Sequence, residues 1–509
     1  MHLWVQQVAA LKQAVLCHGL FAAVSVGSGK TLICALIGEV LGCKTVVLCP
    51  AGLVPEAERE LEKYRKHFKI GDVQWLSYGI LSHPNSASIL EEIGPELICA
   101  DECQMLKNPK AARTRRFLSY MDKHPGTLFA ALSGTITKRS LKDYGHLADL
   151  ALRNRSFMPR KYAGVTEWAE ALDAQPIRRV GALLRLASPR DVAAYSRLEA
   201  ARRGYRCRMV ETPGVVSSDE SSCDIPLFVR WRDVHPSPAI ARAFLQLQRT
   251  WTRPDGEQLI EALDFDRARR EILIGGYHRW VWPNGDPNTA WLAARAQYHR
   301  LLRRWLDRRA RDGLDSSALV ERQLEADWRE LRDQALYGAW LVWREYKHIP
   351  PPPTEWVWIC RSVLDSCLAW ADEVRRGGII WTQCVGFAQE LARASGGAVP
   401  YFGQGRDAAR KIHDETGDLC IAASIKAHGT GRNLQDFNKS LVVGGLSADV
   451  TEQLIGRTRR PGQTATSIEV TFLTRFREDY RRMLEEAKYI EHTLGNKQAV
   501  LHARDEGET

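Results

Sequence analysis

Two blocks of alternating texture constrain this chain more than any other feature. Between Phe21 and Leu152, short apolar runs ("FAAVSV", "TVVLCP", "DVQWLSY", "ELICAD" and "LFAALSG") alternate with amphipathic stretches such as "PEAERELEKYRKHF". An apolar run with no polar alternation fits a strand buried on both faces, and the amphipathic stretches fit the crossover helices that cover it. After Thr354 the texture returns, with "GIIWTQ", "DLCIAAS", "SLVVGGL" and "SIEVTFL" as strands and "SVLDSCLAWADEVRRG" and "FAQELARAS" as helices. An α/β fold with two parallel-sheet lobes is expected.

Between the lobes the texture is different. Long Arg/Ala/Leu/Trp segments such as "NTAWLAARAQYHRLLRRWLDRRARD" have helical spacing, and four prolines at Pro350–Pro353 end the zone. At 509 residues the chain exceeds what one core supports. The division read from it is 1–155 as lobe 1, 156–355 as a helical insertion, 356–485 as lobe 2, and 486–509 as a C-terminal tail whose last stretch, "HARDEGET", is polar and expected to fray.

Within lobe 1, "VSVGSGKT" follows a strand. Gly27 and Gly29 let the backbone curl so that successive N–H groups face one anion, and a helix starting near Lys30 adds its positive end. Lys30 would reach the outer phosphates and Thr31 would ligate magnesium, with Ser28 inside the loop. The full phosphate-loop pattern wants a glycine where this chain has Val24, so an incidental strand–helix turn competes with the phosphate cradle. "ELICADECQMLKN" then places Asp101 and Glu102 at a strand's C-terminal end, where magnesium and an attacking water need a carboxylate each. Near the other end, Arg457 and Arg460 in "GRTRRPGQ" lie three apart and would share one helix face as arginine fingers.

In order, the chain reads "VGSGKT", "VVLCPAGL", "LSYGIL", "DECQMLKN", "LSGTIT", "IIWTQ", "KAHGTGRNLQ" and "EQLIGRTRRPGQ". This set resembles the superfamily-two helicases, most closely their Swi/Snf-like branch of DNA translocases, over residues 3–150 and 356–475. The resemblance implies two RecA-like lobes with ATP and Mg2+ between them. Lys30, Asp101, Glu102, Arg457 and Arg460 would be catalytic, with Thr31 and Asp101 on the metal. Gln7 would read adenine (Gln6 competes), and Gln453 would also touch the nucleotide. Ser133, Gly134 and Thr135 would couple nucleotide state to grip, and Gly429, Thr430, Gly431 and Asn433 would contact the tracked strand. Two departures stand out: Val24 is expected to crowd the mouth of the loop, and Gln104 replaces the family's histidine and puts the coupling in doubt.

The net charge of +10 points to a polyanionic partner. Residues 151–350 hold 34 Lys+Arg against 26 Asp+Glu, and 32 of the 34 are arginine, which grips phosphate bidentately. Within "RRWLDRRAR", Arg303, Arg304, Arg308 and Arg309 form the best phosphate-facing strip, and "EAARRGYRCRMVETPGVV" is a second. The interleaved tryptophans read as core more than as base-stacking platforms. Duplex DNA is the expected partner, with RNA less favoured, and a nucleic-acid-binding module with an impaired ATPase is the competing class. No membrane span or leader is legible, and twelve scattered cysteines suggest reduced thiols, so a cytoplasmic site in a bacterial or virus-infected cell is expected.

Overall fold

The computed structural model describes residues 2–24, 27–83, 86, 88–109, 111–134, 139–217, 223–235, 237–259, 262–282, 285–309, 317–429, 433–460 and 462–505. Thr135, Thr430 and Gly431 lie outside the described residues, as do the side chains of Arg308 and Arg309.

The first sheet holds β1 (Leu20–Ala23), β2 (Thr45–Cys49), β3 (Val73–Ser77), β4 (Leu97–Asp101), β5 (Leu128–Ser133) and β6 (Val215–Ser217). It is parallel throughout, in the order β3-β2-β4-β5-β1-β6. Every residue of β1, β2 and β4 is buried, which is why these strands read as unbroken apolar runs. A second sheet opens with β7 (Leu227–Arg232). The chain then forms an antiparallel hairpin, β8 (Gly276–Trp280) with β9 (Thr354–Trp358). It returns to the second sheet through β10 (Gly378–Thr382), β11 (Tyr401–Phe402), β12 (Cys420–Ser424), β13 (Lys439–Val443), β14 (Ile468–Leu473) and β15 (Arg504–Asp505). This sheet is also parallel, ordered β11-β12-β10-β13-β14-β7-β15. The expected α/β architecture of two parallel sheets is therefore present.

The stretch 156–355 is not wholly a helical insertion. Val215 pairs beside Phe21 of β1, and Leu227 pairs beside Ile468 of β14. Both strands cover ladder edges that would otherwise leave backbone groups bare. The inserted body leaves the second sheet after β7 and rejoins it at the helix Ser362–Val374, before β10. Its helices bury their own apolar cluster, with Tyr298, Leu302, Trp305 and Trp340 at its centre. Trp291, Trp305 and Trp340 are buried, while Trp231, Trp251, Trp328 and Trp343 are half-buried against apolar clusters and Trp280 and Trp282 are half-buried.

The polar tail is not frayed up to residue 505. The helix Arg477–Leu494 leads into Asn496 and Gln498, each 1% exposed, and β15 then pairs with β7. The backbone amides that lead into it are satisfied by carboxylates of two helices. Ala499 N donates to Glu452 Oε2 at 2.8 Å, and Gln498 N donates to Glu491 Oε2 at 2.9 Å. Among the described residues no helix is long and apolar enough to cross a membrane, and the cysteines are all free thiols.

Candidate nucleotide cleft between the sheets

Three helices of the first sheet frame the site: α1 (Val5–Cys17), α2 (Lys30–Leu41) and α3 (Val54–Arg65). Val24 does not crowd the loop. Its N–H donates to Ser133 O at 3.2 Å, which prolongs the β1–β5 ladder, and its side chain is fully buried in the core. The left-handed backbone that the loop needs comes at Gly27 (φ +86°) and Gly29 (φ +69°). The positive φ favours glycine at Gly29, and a Cβ there would lie 2.3 Å from Gln7 Nε2 and push that side-chain end away.

Gln7 backs the loop rather than facing the cleft. Its Nε2 donates to the carbonyls of Ser28 and Gly29, both at 3.4 Å, and its Oε1 accepts from Trp4 N at 2.9 Å. An amide so committed is a loop buttress, which differs from the expected adenine contact. Lys30 Nζ donates to Val24 O at 3.4 Å inside the loop, and Thr31 follows on the first turn of α2.

β4 ends on Asp101, and Glu102 adopts φ +57°, a left-handed conformation costly for a residue with a Cβ and concentrated at functional sites. Burial first, and the neighbouring Glu102 second, push the Asp101 carboxyl up to about 6; Lys30 and Arg457 oppose this. Glu102 is fixed by a polar chain. Gln104 Nε2 donates to Glu102 Oε2 at 2.6 Å, and Ser133 Oγ donates to Gln104 Oε1 at 2.6 Å.

From the second sheet, the helix Ala448–Thr458 presents Arg457, whose Nε donates to Gln453 O at 3.2 Å. The helix stops at Thr458, so Arg460 does not share a helix face with Arg457 as expected. Arg460 precedes Pro461 in the sequence, and the residue before a proline is driven out of the helical region. Both arginines still reach one place. Gly27, Gly29, Lys30, Thr31, Asp101 and Glu102 from the first sheet line a cleft of about 300 Å3 together with Asn433, Arg457 and Arg460 from the second. Burial, with Arg460 adding to it, pulls the Arg457 guanidinium down to about 10, while Glu102, Glu56 and Asp101 hold it up. Burial also lowers Arg460, opposed by Glu56 and Glu60 of α3. Those two acids face the arginines across the cleft, and no pattern in the sequence singled them out.

Other expected residues lie elsewhere. Gln453 and Gly429 line a separate cavity of about 560 Å3 at the ends of the second sheet's strands, so Gln453 does not line the cleft. Asn433, expected on the tracked strand, lines the nucleotide cleft instead. Gly134 O accepts from Asn496 Nδ2 at 2.9 Å. In the insertion, Arg303 is turned inward over the Trp251 ring, 3.1 Å from its centroid, and donates to Leu259 O at 3.4 Å, so it is not part of a phosphate-facing strip; Arg304 is exposed. The second strip is also engaged internally. Arg202 donates to Leu172 O at 2.8 Å, and Arg208 donates to Phe157 O at 2.9 Å.

The donor set fits a magnesium nucleotide. Ser28 Oγ is buried in the loop and has no hydrogen-bond partner among the described residues, and Asp101 is a buried carboxylate beside a second acid. Among the described residues no three His, Cys, Asp or Glu side chains form a metal cage.

No protein-family model matches the chain, and no curated protein matches it. Among solved structures, a Sulfolobus solfataricus SWI2/SNF2 ATPase core in complex with double-stranded DNA is similar over 93% of this chain and 88% of that chain, at 15% identity and a TM-score of 0.32.

Proposed function

We propose that this protein hydrolyses ATP in the cleft between its two sheets and uses the cycle to move along duplex DNA. The observation that carries the reading is the convergence of Lys30, Asp101 and Glu102, from the first sheet, with Arg457 and Arg460, from the far end of the sequence, on one cleft. Loop amides and Lys30 bind the phosphates; Thr31 and Asp101 would hold magnesium, which would supply neutralisation of the phosphate charge. Glu102 orients the water and receives its proton. Arg457 and Arg460 meet the γ-phosphate only while the sheets are close, so hydrolysis loosens the contact between them.

The choice of duplex DNA rests on the motif resemblance and on the arginine excess of residues 151–350. The impaired-ATPase alternative loses one of its grounds, because the Val24 side chain packs into the core. The test is ATP hydrolysis against duplex DNA, single-stranded DNA and RNA. Duplex DNA is expected to stimulate most, Lys30→Ala to abolish turnover, and Glu102→Gln to lower it about 10²–10⁴-fold while ATP stays bound. Absence of hydrolysis with every polynucleotide refutes the motor reading, and stimulation by RNA alone refutes the choice of DNA.

A further inference from the structure

The cavity of about 560 Å3 that holds Gln453 takes no part in the chemistry above. It opens where the second sheet changes direction. β10 lies between β12 and β13; from β10 the chain runs out through β11 and β12 on one side, then crosses to β13 and β14 on the other. The connections leaving β10 and β13 therefore part from each other, and a crevice opens at the strands' carboxyl ends, where parallel sheets take small ligands. Gln383 and Cys384 follow β10 into this crevice, and Val443 ends β13 in it. The helix Ala262–Ile274 of the insertion closes another side with Arg270 and Ile274. The volume is that of a site for one small organic molecule.

Three kinds of group line the same space. Ile274, Ile425, Val443 and Val450 give it apolar walls. Gln453 is 8% exposed, and among the described residues its side-chain amide has no hydrogen-bond partner; only its backbone carbonyl is used, by Arg457 Nε. A buried amide left bare is costly, and a ligand that supplies both a donor and an acceptor relieves that cost. Arg270, half-buried, and Lys426, exposed, make no ion pair among the described residues. Arg270 donates through Nη1 to Gln383 Oε1 and through Nε to Asp266 O, which leaves Nη2 over. The one carboxylate in the lining, Glu271, accepts from His278 N at 3.2 Å and meets His278 Nδ1 at 2.9 Å, so both its oxygens are committed.

A bare phosphate would leave the apolar walls uncovered, and a hydrocarbon would leave the amide and the two cations unanswered. A nucleoside monophosphate answers all three, with its base between the apolar walls, its phosphate on Arg270 and Lys426, and the edge of its base on Gln453. A glutamine amide pairs bidentately with the N6 and N7 edge of adenine. We propose that this cavity is a nucleotide site in its own right, separate from the cleft, which takes a free nucleoside monophosphate and favours adenosine monophosphate. Its occupant rests on Gln453, the residue whose carbonyl steadies Arg457. Binding here does not depend on hydrolysis in the cleft.

The test is calorimetric titration of the full chain with adenosine monophosphate, alongside thermal melting of each variant. Wild type is expected to bind one molecule, and Lys30→Ala to bind it within about twofold of wild type, because that lysine lines the cleft. Val385 lines the cavity and is 47% exposed, so Val385→Trp fills the space from outside the core and is expected to abolish binding. Arg270→Ala is expected to weaken it about tenfold, and decides alone should Val385→Trp not fold. Adenosine and ribose 5-phosphate each lack one half of the ligand and are expected to bind at least about tenfold more weakly. No binding by wild type, binding lost in Lys30→Ala, wild-type affinity in Arg270→Ala or in a folded Val385→Trp, or ribose 5-phosphate bound as tightly as the nucleotide would each overturn the proposal. So would a single-stranded oligonucleotide that binds through Arg270 where adenosine monophosphate does not, since the cavity would then belong to a strand.

Discussion

Gln104 Nε2 lies 2.6 Å from Glu102 Oε2, and the same glutamine accepts the Ser133 hydroxyl on its other end. The side chain that departs from the resembled box is the one that holds Glu102, the acid proposed to orient the water, in place. A neutral amide does this with one donor and one acceptor, and no titration is needed. Gln104→Leu, which fills similar space without either bond, is expected to lower kcat about tenfold with KM for ATP within about twofold. Equal kcat for variant and wild type would show that Glu102 needs no such support.

Arg457 is buried beside Arg460 and faces Glu102 and Asp101. A planar guanidinium matches a phosphoryl group where an ammonium does not. Arg457→Lys is therefore expected to behave nearly as Arg457→Ala, losing about a thousandfold in turnover while still binding a fluorescent ATP analogue. Turnover by Arg457→Lys within threefold of wild type would mean that only charge matters there.

The sequence made this cleft legible at its ends and blurred it in between. Lys30, Asp101, Glu102 and Arg457 stood out because phosphate chemistry dictates both residue type and spacing. β6 and β7 were missed because "VVS" is too short to show a period, and "LFVRWR" sits in an arginine-rich stretch whose texture reads as helical. The burial of Asn496 and Gln498 had no local signal: Asn496 reaches back to Gly134 O, and Gln498 closes onto Asn496 O. Gln7 kept its place beside the loop, but a hydrogen bond to backbone carbonyls has no sequence signature.

Glu452 supplies a pH dependence. Burial pushes its carboxyl up to about 7 from 4.5, against the restraining Ala499 N–H and Arg459. Since the folded value is the higher, its contribution to stability is fully present below about pH 4.5 and is lost as pH rises through 7. That loss is at most about 3 kcal/mol. Glu452→Gln keeps an acceptor for Ala499 N and removes the titration. Melting curves of the two proteins are expected to coincide near pH 4.5, with the variant melting higher at pH 8.5. A constant offset at all pH values would exclude this group as the source.

In the insertion, neighbouring arginines are expected to behave oppositely. Arg303 lies over Trp251 and Arg304 is exposed. Arg303→Ala should lower the melting temperature and leave the salt slope of DNA binding unchanged. Arg304→Glu should do the reverse, flattening the slope by about one ion. DNA titrations at several salt concentrations, paired with melting curves, decide it; an unaltered slope for Arg304→Glu removes that side chain from the interface.

Both ends of the inserted body are rooted in the second sheet, at β7 and at the helix before β10. More than a hundred residues of tryptophan-rich mass therefore ride on the same platform as the paired arginines. A small hinge rotation at the cleft would be magnified at the far tip of that mass, as a short push on a crank becomes a long sweep of its arm.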